Sequence, residues 1–475
     1  MISRRKFIQF GAIAIAVPTK LLANITTKKF NFKSPILNTG VRNGNKVVFD
    51  LTIKSGWKQF FNDIKTPTWG ISQDFLGQTL QVNPDDEVHF AIKNTLKETT
   101  TIHWHGAKLP AKADGGPHQP IKPNTTWNTN FKIIQPPATL WYHAHQMHKT
   151  GEHVYKGLAG MMIIKDNHKD LPSDYGVDDL PIIIQDRDFD KRGFMRYISG
   201  MRDRMMGKTG SVILVNGVVK TKLKAKKSLL RLRLLNGSNA KIYNLSFKGG
   251  ESFHIIGSDG GLLEKPILTN KLTLAPAERI EILVQVAGKN LQLIHTSSSG
   301  GTGMMGSMMS RSDNSNIMQI DGSKAKTSNK KIPKNLSIHT KFDKVDKTRE
   351  FNLEMKMGPM AMLGNAFTIN GKAMDINVLN EIVQAGSVEI WKIRNSSMMP
   401  HPFHIHNVQF KIIKRFGKIT GAELGFKDVV LIHPNEVVEV IMKFPDYSDK
   451  NSPYMYHCHI LEHEDGGMMG QFVVI

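Results

Sequence analysis

Short stretches in which apolar and polar residues alternate recur along almost the whole chain. They include residues 46–53, 87–92, 229–235, 279–284 and 437–442, and Gly, Pro and Asn separate them at short intervals. Successive side chains of a β-strand point to opposite faces, so this period of two predicts strands, and no amphipathic helix competes with it. The pattern therefore predicts an all-β chain built from β-sandwiches or barrels.

Length and an internal similarity predict three domains. The 475 residues correspond to about three domains of ordinary size. Residues 78–88 resemble residues 381–391, and each segment leads within about 25 residues to a His-rich strand, whereas the similar residues 225–233 lead to none. The predicted domains are residues 40–166, 175–322 and 336–475.

The N-terminus has the pattern of an export signal. Arg4 and Arg5 precede a short apolar run at residues 10–17, and small residues follow near Ala23. Paired arginines before such a run are typical of the twin-arginine route, and the run is too short to cross a bilayer. We therefore predict a signal peptide over residues 1–23, export to the periplasm and no stable membrane insertion.

The net charge is +22 at pH 7 with neutral histidines. A basic chain can bind nucleic acid or an anionic membrane surface. Here the lysines are scattered, and no stripe of arginines interleaved with aromatic residues marks a nucleic-acid groove. A solvated basic surface explains the charge, and no nucleic-acid partner is predicted.

Four His-x-His pairs lie near the two ends of the chain. They are His103 with His105, His143 with His145, His404 with His406, and His457 with His459. Side chains two apart on a strand share a face and lie about 6.6 Å apart, so each pair can present two imidazoles to one metal cluster. A single pair is more often a surface accident, but four pairs favour metal binding.

The one cysteine of the chain lies inside the last of these pairs. Cys458 is followed five residues later by His463, and Met468 comes five residues after that. A single cysteine excludes an intrachain disulfide and a four-cysteine metal site. A thiolate, two imidazoles and a thioether form the donor set of a blue copper electron-transfer site, with His401 as the second imidazole. A buried thiol beside a gap-filling methionine is the simpler alternative.

Four motifs together resemble those of the multicopper oxidases. They are His103-Trp-His-Gly, Trp141-Tyr-His-Ala-His, His401-Pro-Phe-His-Ile-His and His457-Cys-His-Ile-Leu-Glu-His. The resemblance covers nearly the whole mature chain and implies three cupredoxin-like Greek-key domains. It is greatest to the bacterial periplasmic cuprous oxidases of copper tolerance, which share the twin-arginine signal, Asp114-Gly-Gly-Pro and the Glu-His-Glu-Asp ending.

The resemblance implies four copper ions: one of type 1, one of type 2 and a type 3 pair. The implied type 1 ligands are His401, Cys458, His463 and, axially, Met468. The implied type 2 ligands are His103 and His404, and the implied type 3 ligands are His105, His143, His145, His406, His457 and His459. The ligands come from the first and last domains, so the three-copper cluster is expected in their interface.

The same resemblance implies that Asp114 and Glu464 deliver the protons that O2 reduction consumes. Two carboxylates beside a strongly cationic cluster can hold and transfer protons. For Asp114 the alternative is a turn residue before Gly115 and Gly116.

Methionine clusters point to Cu(I) as the reductant, because thioethers are soft ligands that favour it. The expected substrate-copper residues are Met304, Met305, Met308, Met309, Met355 and Met399. Two departures from the cuprous oxidases affect this site. Ser397 stands where those enzymes usually have Asp, and their long Met-rich insertion before the last copper motif is missing.

The sequence thus predicts a monomeric oxidase that couples Cu(I) oxidation to the reduction of O2 to water. One alternative is a laccase-like oxidase of phenols or other small organic reductants. Another is a copper-binding or sequestering protein. A cell-division or structural member of the fold would lack several ligands, and none is missing here.

Overall fold

A computed structural model describes residues 31–297, 314–342, 344–356 and 366–475. The predicted signal peptide and four of the expected copper residues, Met304, Met305, Met308 and Met309, lie outside the described residues. Strands dominate the described residues and form six sheets, arranged as three pairs. The prediction of an all-β chain is confirmed.

The first pair of sheets carries two of the His pairs at one end. Its strands are β1 (Leu37–Asn38), β2 (Val41–Asn43), β3 (Lys46–Phe61), β4 (Ile64–Ile71), β5 (Leu76–Gly77), β6 (Thr79–Val82), β7 (Glu87–Asn94), β8 (His103–His105), β9 (Thr126–Lys132), β10 (Thr139–His143) and β11 (Ala159–Ile164). One sheet has the order β1-β6-β11-β10-β8, and the other has the order β5-β4-β3-β7-β9 with β2 added to β3. Along β7 buried and more exposed residues alternate, as the sequence pattern predicts.

The second pair of sheets carries none of the predicted metal ligands. Its strands are β12 (Asp179–Arg187), β13 (Val212–Val215), β14 (Val218–Val219), β15 (Thr221–Lys224), β16 (Leu229–Asn236), β17 (Tyr243–Phe247), β18 (Phe253–Ser258), β19 (Gly261–Thr269), β20 (Lys271–Leu274), β21 (Arg279–Gln285), β22 (Asn290–His295) and β23 (Ser315–Asp321). The sheets have the orders β14-β13-β12-β16-β21-β18-β19 and β15-β23-β22-β17-β20.

The polar residues of β16 and β21, apart from Gln285 at the end of β21, are buried together with the apolar ones. Alternation usually leaves one face of a strand in water. Here Arg233 donates to Asp179 and to Glu281, and it also donates to the Thr139 hydroxyl of the first pair of sheets. The polar face therefore forms an interface between sandwiches, held by buried ion pairs.

The third pair of sheets carries the remaining predicted ligands. Its strands are β24 (Lys347–Met355), β25 (Phe367–Ile369), β26 (Glu381–Val383), β27 (Val388–Asn395), β28 (His401–Ile405), β29 (Phe410–Lys414), β30 (Val429–Ile432), β31 (Val437–Lys443), β32 (Asp449–Cys458) and β33 (Met469–Val474). The sheets have the orders β25-β24-β27-β31-β29 and β26-β33-β32-β28-β30.

Helices in the described residues are short. They are α1 (Thr150–Lys156), α2 (Met201–Met206) and α3 (Leu461–Asp465), with 3-10 turns at Ala111–Ala113 and Gly421–Leu424. Helix α3 follows β32 directly and packs against both α1 and α2, so parts of all three sandwiches meet there. None of the helices in the described parts of the chain is long and apolar enough to cross a membrane.

Candidate metal centres

Two antiparallel strand pairs bring the His pairs together. In the first sandwich, β10 pairs with β8 so that His143 lies opposite His103. In the third sandwich, β32 pairs with β28 so that His457 lies opposite His404. The second member of each pair shares the face of the first, and all eight imidazoles are buried. Local strand register therefore collects four ligands at a time, and the contact between the sandwiches joins the two sets.

The eight imidazoles form three groups of three, with His105 in two of them. Within each group, one ring nitrogen of every member lies within 4.8 Å of those of the other two. The groups are His103, His105 and His404; His105, His143 and His459; and His145, His406 and His457. In the last group the Nε2 atom of His457 lies 3.2 Å from the Nε2 atoms of both His145 and His406. Ring nitrogens that converge this closely, from both outer sandwiches, suit a cluster of metal ions.

In His103 and His404, a hydrogen bond to the outer ring nitrogen leaves the inner nitrogen free. The Nδ1 atom of His103 donates to the Asp114 carbonyl at 2.9 Å, and that of His404 donates to the Asp428 carbonyl at 2.8 Å. The Nε2 atoms of both rings are buried without a hydrogen-bond partner. Such an outer bond fixes the tautomer of a metal-ligating histidine, and an unpaired buried nitrogen is unfavourable unless a metal fills the site. These residues therefore fit the copper ions that the sequence motifs imply.

Burial favours the neutral form of seven of the eight imidazoles. It lowers the pKa well below 6.5 for His105, His143, His145, His404, His406 and His459, and neighbouring imidazoles lower it further. For His457, burial lowers the pKa to about 3. Metal ions bind the neutral form of imidazole, so the cluster is prepared for metal at neutral pH.

We expect the copper-free protein to lose stability as the pH falls below about 6.5. The unfolded chain takes up protons on these histidines below their ordinary pKa of 6.5, while the folded protein resists doing so until a much lower pH, near 3 for His457. Each such group removes about 1.4 kcal/mol of folding free energy per pH unit within that window. Thermal unfolding followed by circular dichroism over that range measures the effect. The stability of the copper-loaded protein should change less with pH, because bound metal competes with protons for the imidazoles. A midpoint of thermal unfolding that stays constant in the copper-free protein down to about pH 5 would contradict the prediction.

The two predicted acids lie on different sides of the cluster. Asp114 Oδ2 accepts a hydrogen bond from His406 Nδ1 at 2.8 Å, and its Oδ1 is buried without a partner. Gly115 follows with φ +76°, and a Cβ there would lie 1.7 Å from the Ile102 carbonyl oxygen. Asp114 therefore does precede a tight turn, and in this turn its carboxylate lies against the histidines.

Glu464 of α3 lies on a different side of the imidazole cluster from Asp114. Its Oε1 atom lies 3.3 Å from His145 Nδ1, and its Oε2 atom lies 3.2 Å from His457 Nδ1. Burial raises the pKa of Glu464 well above 4.5, and the charge of Asp465 raises it further. Burial thus favours the protonated form of the Glu464 carboxyl group.

A second, separate centre surrounds Cys458. Its Sγ atom lies 3.3 Å from His401 Nδ1 and 3.8 Å from His463 Nδ1, and the two Nδ1 atoms are 3.3 Å apart. All three side chains are buried, and so is Met468, whose carbonyl accepts a hydrogen bond from the Cys458 backbone at 3.0 Å. Burial raises the pKa of the Cys458 thiol. A bound metal ion would reverse that effect and hold the thiolate.

Only some of the expected substrate-copper residues are described. Met355 is half-buried and Met399 is 8% exposed, and both pack on the apolar cluster that also contains Met468. Ser397 Oγ lies 2.7 Å from His401 Nε2, so a hydroxyl group contacts this imidazole where the cuprous oxidases usually have a carboxylate.

Three contacts of the centres were not predicted. The Nε2 atom of His463 donates to the Met205 carbonyl of α2 at 3.0 Å, and the Nε2 atom of His105 donates to Asp428 Oδ1 at 3.0 Å. Arg279 in turn binds Asp428. A charged residue at the start of an apolar strand, as at Arg279, was the one available signal, and it reads equally well as a solvent-facing residue.

Comparison with known proteins shows that the chain is similar to multicopper oxidases over most of its length. Two family models, both describing multicopper oxidases, match residues 53–169 and 332–475. The multicopper oxidase Mco of Staphylococcus haemolyticus is 36% identical over 448 residues, which cover 92% of this chain and 89% of that protein. The cell division protein FtsP of Photorhabdus laumondii is 32% identical over 485 residues, which cover 100% of this chain and 98% of that protein. The structure of a multicopper oxidase from Campylobacter jejuni, described as a metallo-oxidase, superposes with a TM-score of 0.85 at 30% identity and covers 95% of this chain and 96% of that one.

Proposed function

This chain belongs to the multicopper oxidase family, and from that premise we propose that it oxidises Cu(I) to Cu(II) in the bacterial periplasm while reducing O2 to water. The complete set of buried donors carries the proposal: eight converging imidazoles in one cluster, and His401, Cys458 and His463 in a second. Protein-bound copper would supply one-electron redox chemistry at both centres, so four Cu(I) ions and four protons are consumed for each O2 converted to two water molecules. The protein itself has to hold the ions, connect the centres and handle protons.

Cys458 connects the two centres through covalent bonds. Its sulfur faces His401, while its backbone neighbours His457 and His459 belong to the eight-imidazole cluster. One Cα–Cα step of about 3.8 Å plus two opposed side chains separates the centres by on the order of 10 Å. An electron received near His463 thus has a short bonded route to the cluster.

Asp114 and Glu464 are the proposed proton carriers. The Glu464 carboxyl group, whose pKa burial raises, lies against His145 and His457, and Asp114 lies against His406. A carboxyl group with a raised pKa can act as a general acid at neutral pH. Because the two carboxyl groups lie on different sides of the imidazole cluster, both could supply protons to O2 that is reduced there.

The methionines of α2 support Cu(I) as the reductant. The His463 Nε2 atom donates to the Met205 carbonyl, so α2, which carries the half-buried Met205 and Met206, lies against the Cys458 centre. Met205, Met206, Met355 and Met399 belong to or pack on the apolar cluster that also contains Cys458 and Met468. Soft sulfur ligands favour Cu(I) over harder metal ions. The helix that contacts His463 therefore carries two soft donor residues.

Ser397 is the observation that favours the second candidate, a laccase-like oxidase of phenols. A hydroxyl is a poorer copper ligand than the usual carboxylate, so a weaker substrate-copper site would leave organic reductants as donors. A copper-sequestering role, or the cell-division role named for the FtsP relatives, needs no cluster of eight buried imidazoles. Their unpaired nitrogens would each cost about 1–3 kcal/mol in a protein that never bound metal there.

Oxygen consumption by copper-loaded protein tests the proposal, with Cu(I) as sole reductant in one arm and a phenol, with and without added Cu(II), in another. We expect Met355→Leu combined with Met399→Leu to raise the KM for Cu(I) by about tenfold and to leave phenol oxidation nearly unchanged, because Leu keeps the volume and removes the sulfur. Met318→Leu is the control: Met318 is buried in the second sandwich, and its replacement should leave the KM for Cu(I) unchanged. Equal losses with both reductants, or fast phenol oxidation without a response to Cu(I), would overturn the Cu(I) assignment.

A further inference from the structure

The second sandwich contributes none of the predicted ligands of the three-copper cluster, yet one of its arginines reaches the junction of all three sandwiches. Arg279, the first residue of β21, is fully buried. Its Nε atom donates at 2.9 Å to the carbonyl of Thr139, which starts the strand that ends in His143. Its two terminal nitrogens reach the third sandwich, where they meet Asp428. Arg279 therefore contacts a strand of the first sandwich and a carboxylate of the third.

Arg279 holds both carboxylate oxygens of Asp428. Its Nη1 atom donates to Oδ1 at 2.6 Å and its Nη2 atom donates to Oδ2 at 2.5 Å. A paired fork of this kind fixes the plane of the carboxylate as well as its position. Both groups are removed from water, so neither charge has solvent to replace its partner.

Asp428 holds two imidazoles of the cluster at once. Its Oδ1 atom accepts from His105 Nε2 at 3.0 Å, and its backbone carbonyl accepts from His404 Nδ1 at 2.8 Å. These two rings stack with centroids 3.7 Å apart, one from each outer sandwich. The orientation of both rings thus depends on one residue that is not itself a predicted ligand.

The surroundings leave Asp428 little freedom to turn. Gln409 Nε2 donates to its Oδ2 atom at 2.8 Å, and Asp259 Oδ2 accepts from its backbone nitrogen at 3.3 Å. Gly106, with φ +85°, packs so closely that a Cβ there would lie 2.5 Å from Asp428 Oδ2 and 2.7 Å from Arg279 Nη2. The pair is enclosed as a unit directly behind His105.

We infer that Arg279 is a positioning residue for the three-copper cluster: through Asp428 it orients His105 and His404, so the second sandwich completes a site to which it gives no ligand. The inference rests on the proposed function only in taking the eight imidazoles to be copper ligands. Histidines held by an outer hydrogen bond lose metal affinity when the group that holds them is disturbed. The copper ion that His103 and His404 would hold should be affected most, because His404 donates to the Asp428 carbonyl and stacks on His105.

Two Arg279 variants and one control test this inference in the copper-loaded full chain. Arg279→Met removes the charge and the fork, and Arg279→Lys keeps the charge but cannot bind both oxygens. Arg233→Met is the control, because Arg233 is also buried, lies on the neighbouring strand β16 and, like Arg279, donates to Thr139, but it binds Asp179 and Glu281 rather than Asp428. The readouts are copper per chain, the type 2 signal in electron paramagnetic resonance and the blue absorption of the Cys458 centre.

For Arg279→Met we expect the affinity for type 2 copper to fall by about tenfold or more while the blue absorption is retained, with a smaller fall for Arg279→Lys. Arg233→Met should keep the wild-type ratio of the type 2 signal to blue absorption. If Arg279→Met does not fold, the type 2 signal of Arg279→Lys relative to its blue absorption tests the inference instead. A type 2 signal of wild-type strength in the Arg279 variant that folds, or the same loss in Arg233→Met, would overturn the inference. Failure of the wild-type protein to oxidise Cu(I) would overturn the proposed substrate instead and leave these readouts unaffected.

Discussion

Replacing Cys458 with Ser is expected to abolish both the blue absorption and the oxidase activity while the three sandwiches stay folded. The Cys458 sulfur lies between His401 and His463 and leads directly to His457 and His459. A serine hydroxyl is a far weaker ligand than a thiolate, so the site loses the donor that gives type 1 copper its colour and its route for electrons. Copper content should fall by one ion per chain, with the other three retained.

The fold should tolerate this change. Burying an unpaired hydroxyl costs about 1–3 kcal/mol, less than the total stability of an ordinary domain. Ala144→Ser is a matched control, because Ala144 is also fully buried and lies between His143 and His145 as Cys458 lies between His457 and His459. That variant should stay blue and active. Visible absorption, copper analysis and oxygen consumption measure the outcome, and a Cys458→Ser protein that remained blue would exclude Cys458 as the type 1 ligand.

Glu464→Gln is expected to slow turnover by about 10²-fold or more and to leave the protein blue. Gln keeps the shape of Glu but carries no proton to transfer to the space between His145 and His457. The wild-type rate should fall as the pH rises through the raised pKa of Glu464, because the acid form is lost; the variant should lack that fall. Turnover per blue copper, measured across the pH range, tests both parts.

Glu462→Gln separates proton transfer from damage to the fold. Glu462 lies on the other side of His463 and is buried, but it accepts hydrogen bonds from Tyr197, Asn239 and the Lys208 backbone instead of facing the cluster. This control should lower the midpoint of thermal unfolding without a comparable loss of turnover per blue copper. Unchanged turnover in Glu464→Gln, or equal losses in both variants, would remove Glu464 from the proton route.

The strand pattern was sufficient to predict the fold class. Alternation of apolar and polar residues is a local property, and the structure contains strands at all five stretches that showed it. The placement of two imidazoles on one face of a strand is equally local, since residues two apart always share a face. The His-x-His motifs could therefore be predicted as candidate donors, and Cys458, between His457 and His459, as a candidate bridge between two sites.

The surroundings of the centres could not be predicted in this way. The alternating residues of β16 and β21 look like strands with one face in water, yet both faces are buried because another sandwich covers the polar side. The methionines of α2 could be noticed as a cluster, but not that the Met205 carbonyl accepts a hydrogen bond from His463, 258 positions away along the chain.

By itself, the sequence determined the fold class and which residues are candidate metal donors, because donor chemistry and strand geometry repeat over a few neighbouring positions. Only the tertiary structure decided how those donors are oriented. Arg279 and Asp428 lie 149 positions apart and have no local pattern in common, and they meet only because three sandwiches pack at one point. Their charges attract strongly there because packing removes water from around them, and that burial is a property of the whole assembly of sheets rather than of any short segment.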